Sequence, residues 1–272
     1  MGKFDRYLDK QLSCGRAWFN RDEGLRELGM SPEAFTAAAT RLLKKRRLVS
    51  PKRGFFLILR PEDWNAGAPD PASWIDMFMR CQGIDYRISL LRAAAFHGSS
   101  HNAAMVFQVI TPRQLRNIEL GRHRVQFVYQ APNAFEAVNR PGLLGQIKSD
   151  SGFAKVSGVE LTLLDVTRYL RKAAGINNVA QIVKDLGAKA SPRKLGIAAA
   201  HYENAALMRL GFLLDHAGHT RQSRALESFV RHAKSMKPLD PSIMPLSLAF
   251  AADYPKDSKW KIIINEQLED EF

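Results

Sequence analysis

The stretch from Asn20 to Leu59, NRDEGLRELGMSPEAFTAAATRLLKKRRLVSPKRGFFLIL, leaves this chain the fewest choices. Its punctuation predicts two helices around a tight turn, then a β-hairpin. Asn20 supplies a capping oxygen for the first helix, and Glu23, three residues on, has the spacing of a capping box. Leu25 and Leu28 give that helix an apolar side, and Gly29 permits the left-handed residue that ends it. Ser31 is a second N-cap, with Pro32 at the first helical position, where its missing N–H costs nothing. The second helix is predicted from about Pro32 to Lys45. At 100° per residue Phe35, Ala39, Leu42 and Leu43 share one side, and Glu33, Ala37, Thr40, Arg41 and Lys44 share the other. Leu48-Val49 and Phe55 to Leu59 read as strands around a turn at Ser50-Pro51-Lys52-Arg53-Gly54.

Two helices on so short a glycine-containing turn have helix-turn-helix spacing, and the basic hairpin makes the pattern that of a winged helix-turn-helix. No acidic residue interrupts Ala34 to Pro61. The outer face of the second helix is small near its start and basic near its end, so it suits a major groove. Thr40 and Arg41 could then read base edges, and Ser31 and Ala37 are counted with them among the candidate DNA-binding residues. Lys44, Lys45, Arg46 and Arg47 would lie near phosphates, which position a protein without reading sequence. Lys52 and Arg53 would form the tip of the wing. A charge run by itself usually means only a solvated face; order, small outer face and basic tip together favour DNA. The formal charge of +13 over 272 residues points the same way.

Length and composition suit two domains with substantial cores. Pro61, Gly67, Pro69 and Pro71 mark a boundary between domains 1–62 and 63–272, where Trp64 is a candidate pin. Phe4 to Leu12 is a leading helix, and Trp18 and Phe19 are expected in the core. The second domain is expected to open at an N-cap Ser73, continue in a helix from Tyr86 to Phe96 ended by Gly98, and place a small sheet at Met105–Ile110, Arg124–Tyr129 and Phe153–Val156, with a turn at Ser157-Gly158. Five helices should follow, at Glu160–Lys172, Asn178–Leu186, Pro192–His201, Ala205–His216 and Arg221–Ala233, then a last strand at Trp260–Ile264 and an acidic tail. The expected class is α+β, helix-rich: a winged helix-turn-helix, then a mixed α/β domain with a small sheet and a helical bundle.

Chemistry-bearing motifs are few. Cys14 and Cys81 lack metal-ligand spacing and read as reduced thiols. His97 and His101 are four apart, but Gly98-Ser99-Ser100 between them argues for a loop and against a metal pair. Asp165 reads as a core carboxylate paired with Arg168. Asp215-His216 has a low prior as a catalytic pair, because neighbours on a helix diverge. Arg209 lies opposite the leucine stripe of its helix and is open to solvent, partner or nucleic acid. Arg113, Arg116, Arg122 and Arg124 add basic surface around a strand pair. With no phosphate loop, dinucleotide fingerprint or nucleophile elbow, the chain is not expected to be an enzyme or to need a cofactor. The charged N-terminus and the lack of a long apolar run predict a cytoplasmic protein that avoids membranes.

Four stretches in order resemble the AbiEi family, the antitoxins of the abortive-infection AbiE type IV toxin–antitoxin systems: LRELGMSPEAFTAAATRLLKKRRLVSPKRGFFLIL, SLLRAAAFHGSSH, VELTLLDVTRY and MRLGFLLDHAG. The resemblance implies an N-terminal domain that binds operator DNA and represses its own operon. It also implies a C-terminal domain that counteracts a nucleotidyltransferase-like toxin without needing a stable complex. Leu161 departs from the pattern, standing where an arginine is expected after Glu160. The competing reading is a winged-helix transcriptional regulator with no antitoxin role, whose second domain senses a ligand in an apolar pocket with a few converging polar groups. A nucleic-acid-processing enzyme would instead need carboxylates or histidines converging in a cleft.

Overall fold

The computed structural model describes residues 2–99, 106–150, 152–243 and 253–268. His101, Met105 and the acidic run at 269–271 lie outside them. The elements begin with α1 (Lys3–Ser13), β1 (Trp18–Asn20), α2 (Arg21–Leu28), α3 (Pro32–Lys44), β2 (Leu48–Lys52), β3 (Phe55–Ile58) and α4 (Pro71–Cys81). Next come β4 (Arg87–Ile88), α5 (Leu90–His97), β5 (Val106–Thr111), β6 (Ile118–Leu120), β7 (His123–Tyr129), α6 (Pro132–Val138), β8 (Leu144–Ser149) and β9 (Gly152–Ser157). The rest is helical, α7 (Val159–Arg168), α8 (Ile176–Leu186), α9 (Pro192–Ala199), α10 (Asn204–His216), α11 (Thr220–Ser223) and α12 (Glu227–Val230), before the short strands β10 (Lys237–Pro238), β11 (Lys256–Asp257) and β12 (Ile262–Ile263). The class is α+β. No helix among the described residues is long and apolar enough to cross a membrane.

Two compact units divide the chain. The first takes Met1–Tyr86, Met105–Tyr129 and Gln146–Lys155; the second takes Arg87–Ala104, Gln130–Gly145 and Val156–Phe272.

In the first unit the local signals act as their chemistry dictates. The Asn20 side chain accepts from the Glu23 N–H at 2.9 Å, Gly29 closes α2 at φ 53°, and Ser31 accepts from the Ala34 N–H at 3.2 Å. The Glu23 carboxylate does not complete the box: it pairs with Arg16 instead, with Nη2–Oε2 at 2.6 Å. Trp18 and Phe19 are buried, and they are part of a strand. β1 runs antiparallel to β3, with Phe19 opposite Phe56, and β3 pairs with β2, giving the order β1-β3-β2. The hairpin turn is tighter than expected. β2 continues through Lys52 with an irregularity after Val49, so the chain reverses at Arg53-Gly54, where Gly54 takes φ 89°.

One aromatic core joins these pieces. The Phe19 ring stacks on Phe56 at 5.2 Å, Phe4 sits 5.3 Å from Phe35, and Leu8, Leu28, Leu42 and Leu48 fill the gaps. Fully burying each such side chain is worth about 1.5–3 kcal/mol. Packing is close enough that a Cβ on Gly24 would stand 2.7 Å from the Phe35 ring. Beyond the hairpin, Asp70 and not Ser73 caps α4, accepting from the Ala72 N–H at 2.8 Å. Trp64 is 61% exposed. β5 and β7 run parallel from Val106↔Arg124 to Thr111↔Tyr129, with β6 antiparallel on the other side of β7.

In the second unit the segment read as a helix from Tyr86 splits. Arg87-Ile88 form β4, parallel to β9 at Ile88↔Val156, and the helix starts only at Leu90. Gly98 ends it at φ 97°. Ser157 closes β9, and Gly158 is the N-cap of α7 rather than a hairpin turn. Every residue of α7 from Glu160 to Thr167 is buried. Leu161, the departure from the family pattern, is therefore a core side chain, and an arginine placed there would need a partner or a path to water. α10 buries Leu207, Leu210 and Leu214 as its stripe requires. The helix expected over Arg221–Ala233 is broken into α11, a 3-10 turn at Arg224–Leu226 and α12. The last strand shrinks to β12, parallel to β10 and antiparallel to β11.

Candidate nucleic-acid interface

The outer face of α3 is exposed along its length. Glu33, Thr36, Ala37, Thr40, Arg41 and Lys44 recur at three- and four-residue steps and are all open to solvent, whereas Phe35, Ala39 and Leu42 are buried. Arg21, at the start of α2, leans over this face, its Nη2 donating to the Pro32 carbonyl at 3.4 Å. Its position on a short polar helix start gave no signal in the sequence. A groove of about 590 Å³ runs between α3 and the hairpin; its walls include Arg21, Glu33, Thr36, Thr40, Arg53 and Gly54.

The stripe's polar groups are already partly committed. Thr36 Oγ1 donates to the Pro32 carbonyl at 2.7 Å and Thr40 Oγ1 to the Thr36 carbonyl at 2.8 Å. Each threonine therefore turns a methyl and an acceptor outward. Arg41 Nε donates to the Ala37 carbonyl at 3.3 Å, leaving the outer guanidinium edge for a partner. The Glu33 carboxyl is held below the usual carboxylate range by its own backbone N–H at the helix start and by the Ser31 side chain.

Beyond the stripe the helix ends in a cluster of cations. Lys44, Lys45 and Arg46 are exposed, and Arg46 takes φ 53°, in the left-handed region that costs an L-residue energy. Arg47 is half-buried and turned toward Asp9, with Nη2–Oδ1 at 3.3 Å, so its charge is partly spent inside the fold. At the hairpin Lys52 and Arg53 are exposed, and Lys52 Nζ donates to the Gln82 side chain. Ser31 is exposed and occupied as a cap. The structure thus gathers Ala37, Thr40 and Arg53 around one groove, sets Arg41 with Lys45 on a separate groove against α1, leaves Lys44 and Arg46 exposed at the far end of α3, and places Lys52 on the other side of the hairpin.

That other side borders a second groove of about 530 Å³. Phe78, Ile118 and Phe127 floor it, and Lys52, Gln82, Gln114 and Arg116 rim it. Arg113, Arg116, Arg122 and Arg124 are all exposed; Arg124 pairs with Glu119 at 3.6 Å.

The second unit holds a different constellation, fully buried. Asp165 is paired with Arg87, not Arg168: Nη2 lies 3.1 Å from both of its oxygens and Nε 3.3 Å from Oδ2. Ser89 donates to Asp165 at 2.7 Å, Tyr202 at 2.6 Å, and Arg87 donates to Gln130 at 2.7 Å. Burial first, then the Asp165 charge, pushes the Tyr202 hydroxyl far up, so it stays a donor. Arg168 pairs instead with Glu203 at 3.3 Å. The sequence offered no sign of Arg87 because its segment carries a helical pattern.

The other candidates resolve into structure. Arg209 is 8% exposed and donates to the Pro238 and Leu239 carbonyls at 3.2 and 3.1 Å, so it neither faces solvent nor a partner. His97 Nε2 meets the Ser157 carbonyl at 2.7 Å. Asp215 accepts from Lys259 and from Trp260 Nε1, each at 2.7 Å, and from Ser223. Cys14 and Cys81 are free and exposed. Among the described residues no three His, Cys, Asp or Glu side chains gather in a way that could hold a metal.

The whole chain is similar in fold to the crystal structure of the RV2827C protein from Mycobacterium tuberculosis, with a TM-score of 0.68 at 17% identity over 96% of this chain and 90% of that one. No curated protein matches the sequence. Residues 87–216, which include the buried Arg87–Asp165 network and α10, match the family described as the AbiEi antitoxin C-terminal domain. Over those residues the chain is similar to the C-terminal domain of the AbiEi antitoxins.

Proposed function

We propose that this protein is a DNA-binding antitoxin of a type IV toxin–antitoxin system. Its first 62 residues act as a winged helix-turn-helix that represses its own operon, and the remainder counteracts a nucleotidyltransferase-like toxin encoded beside it. The observation that carries the DNA half is the exposed stripe of α3 facing a groove beside the hairpin, with Lys44, Lys45 and Arg46 at its end. A recognition helix docks in this way: side chains near its N-terminus meet base edges, and flanking cations hold phosphates. The antitoxin half rests on the family match over residues 87–216. The partners are duplex operator DNA and the toxin, which the antitoxin opposes without a stable complex; the role needs no catalysis, cofactor or membrane.

A second reading has one observation in its favour. The groove floored by Phe78, Ile118 and Phe127 combines an apolar base with converging amides and cations, as a small-molecule site does. A winged-helix regulator with a ligand-sensing second domain and no antitoxin role would use it.

Growth separates the two. Cells expressing the neighbouring toxin are rescued by the full chain under the antitoxin reading, and an Arg41→Ala/Lys44→Ala chain still rescues when its expression is driven from a foreign promoter. Repression without rescue would leave the regulator reading standing.

A further inference from the structure

Glu33 is the acid that a phosphate-binding face should exclude. It lies at the second position of α3, exposed, in the groove that also holds Arg21, Thr40 and Arg53. Near a phosphate its charge would oppose binding; near a base edge its carboxylate, already engaged by its own N–H and by Ser31, still offers acceptor lone pairs and no donor.

The neighbouring side chains define which edge. Over the first two turns of the stripe, Thr36 and Thr40 have given their hydroxyl hydrogens to their own helix, and Ala37 carries only a methyl. From Glu33 to Thr40 the stripe therefore presents acceptors and methyl groups. In the major groove, guanine shows acceptors N7 and O6, and thymine shows acceptor O4, so both repel a carboxylate. Adenine sets its N6 donor beside the N7 acceptor, which suits a side-chain amide better. Cytosine shows the N4 donor with no acceptor beside it on that edge, and it is the base a carboxylate reads.

From this we infer that Glu33 is a specificity-determining residue that accepts a hydrogen bond from the N4 amino group of a cytosine in the operator. This rests on the reading of α3 as the element that enters the major groove. The Glu33 contact requires a C·G pair in the operator under the N-terminal end of α3, on one defined strand. The threonine methyls beside it suit thymine methyls at adjacent positions.

The test uses the full chain and a panel of operator duplexes in which every base pair of the protected site is changed in turn, measured by fluorescence anisotropy at fixed salt. The wild type should show one C·G pair whose replacement weakens binding by roughly five- to a hundredfold. Glu33→Gln should lose that preference and favour A·T at the same position, because an amide pairs with adenine N6 and N7. All other positions should keep their order. The inference is overturned if Glu33→Gln keeps the wild-type preference at every pair. It is also overturned if the variant binds all sequences more tightly and alike, which would place the carboxylate beside the backbone. An Arg41→Ala chain serves as the control for the underlying reading: if neither it nor the wild type discriminates among the duplexes, α3 is not the reading helix, and both readings fall together.

Discussion

Replacing Asp165 with asparagine keeps the shape of a buried side chain and removes its charge. Asp165 and Arg87 are both 0% exposed, and the carboxylate takes hydrogen bonds from Arg87, Ser89 and Tyr202 within 3.3 Å. Removing one partner of a buried ion pair typically costs about 3–5 kcal/mol, because the other charge is left in a low-dielectric interior. Part of the loss comes from the guanidinium, now facing an amide, and part from the two hydroxyl donors that lose a charged acceptor. Set against a total stability of about 5–15 kcal/mol, this is a large fraction of what holds the second unit closed. Hydrogen exchange at α7 and α10 amides across a urea series measures it directly. The expected drop in opening free energy at α7 is about 3–5 kcal/mol, with amides of α1 to α3 little changed. An Arg87→Met/Asp165→Leu double variant leaves no orphaned charge and should lose less than Asp165→Asn. A loss under about 1 kcal/mol for Asp165→Asn, or a double variant worse than the single, would refute the assignment of the pair as the polar centre of this core.

Other perturbations follow from the same geometry. Gly24→Ala should destabilise the first unit by about 1–3 kcal/mol despite alanine's better helix propensity, because its Cβ would stand 2.7 Å from the Phe35 ring; thermal unfolding reads the sign. Arg46→Gly should relieve a left-handed arginine and stabilise by up to about 1 kcal/mol while weakening DNA binding, since φ 53° suits glycine. Burial raises the Asp215 pKa, but hydrogen bonds from Lys259, Ser223 and Trp260 outweigh it and leave the carboxyl below its usual value. A lowered folded pKa gives stability that is present above the unfolded pKa, about 3.9, and is lost as pH falls through the folded one. Asp215→Asn should therefore flatten the acid limb of the stability curve near pH 4 and below, and an unchanged limb in acid titrations would count against that role.

Much of the first unit was legible because its signals are local. A cap, a left-handed glycine and a proline at the first helical position each act within four residues, and they fixed α2 and α3 nearly to the residue. β1 was not legible, since Trp18-Phe19-Asn20 becomes a strand only by pairing with Phe55-Phe56-Leu57. The same limit hid Arg87, whose segment carries a helical pattern until β9 recruits Ile88. Arg209 was misjudged because helical periodicity says which face a residue occupies and nothing about what covers that face; here the backbone at Pro238 and Leu239 does. In the candidate interface, exposure along the α3 stripe followed from periodicity, but the diversion of Arg47 to Asp9 and the leaning of Arg21 over α3 needed tertiary structure.

The central claim is that α3 and the hairpin bind duplex DNA upstream of this protein's own gene. The most direct measurement titrates the full chain with that duplex over a salt series from about 50 to 200 mM, with an unrelated duplex beside it. Each phosphate neutralised contributes about −0.9 to the slope of log affinity against log salt. Binding to the upstream duplex should be tighter, with a steep negative slope that becomes shallower by about one for Lys44→Ala. Equal affinity for both duplexes, or a slope near zero, would contradict the claim.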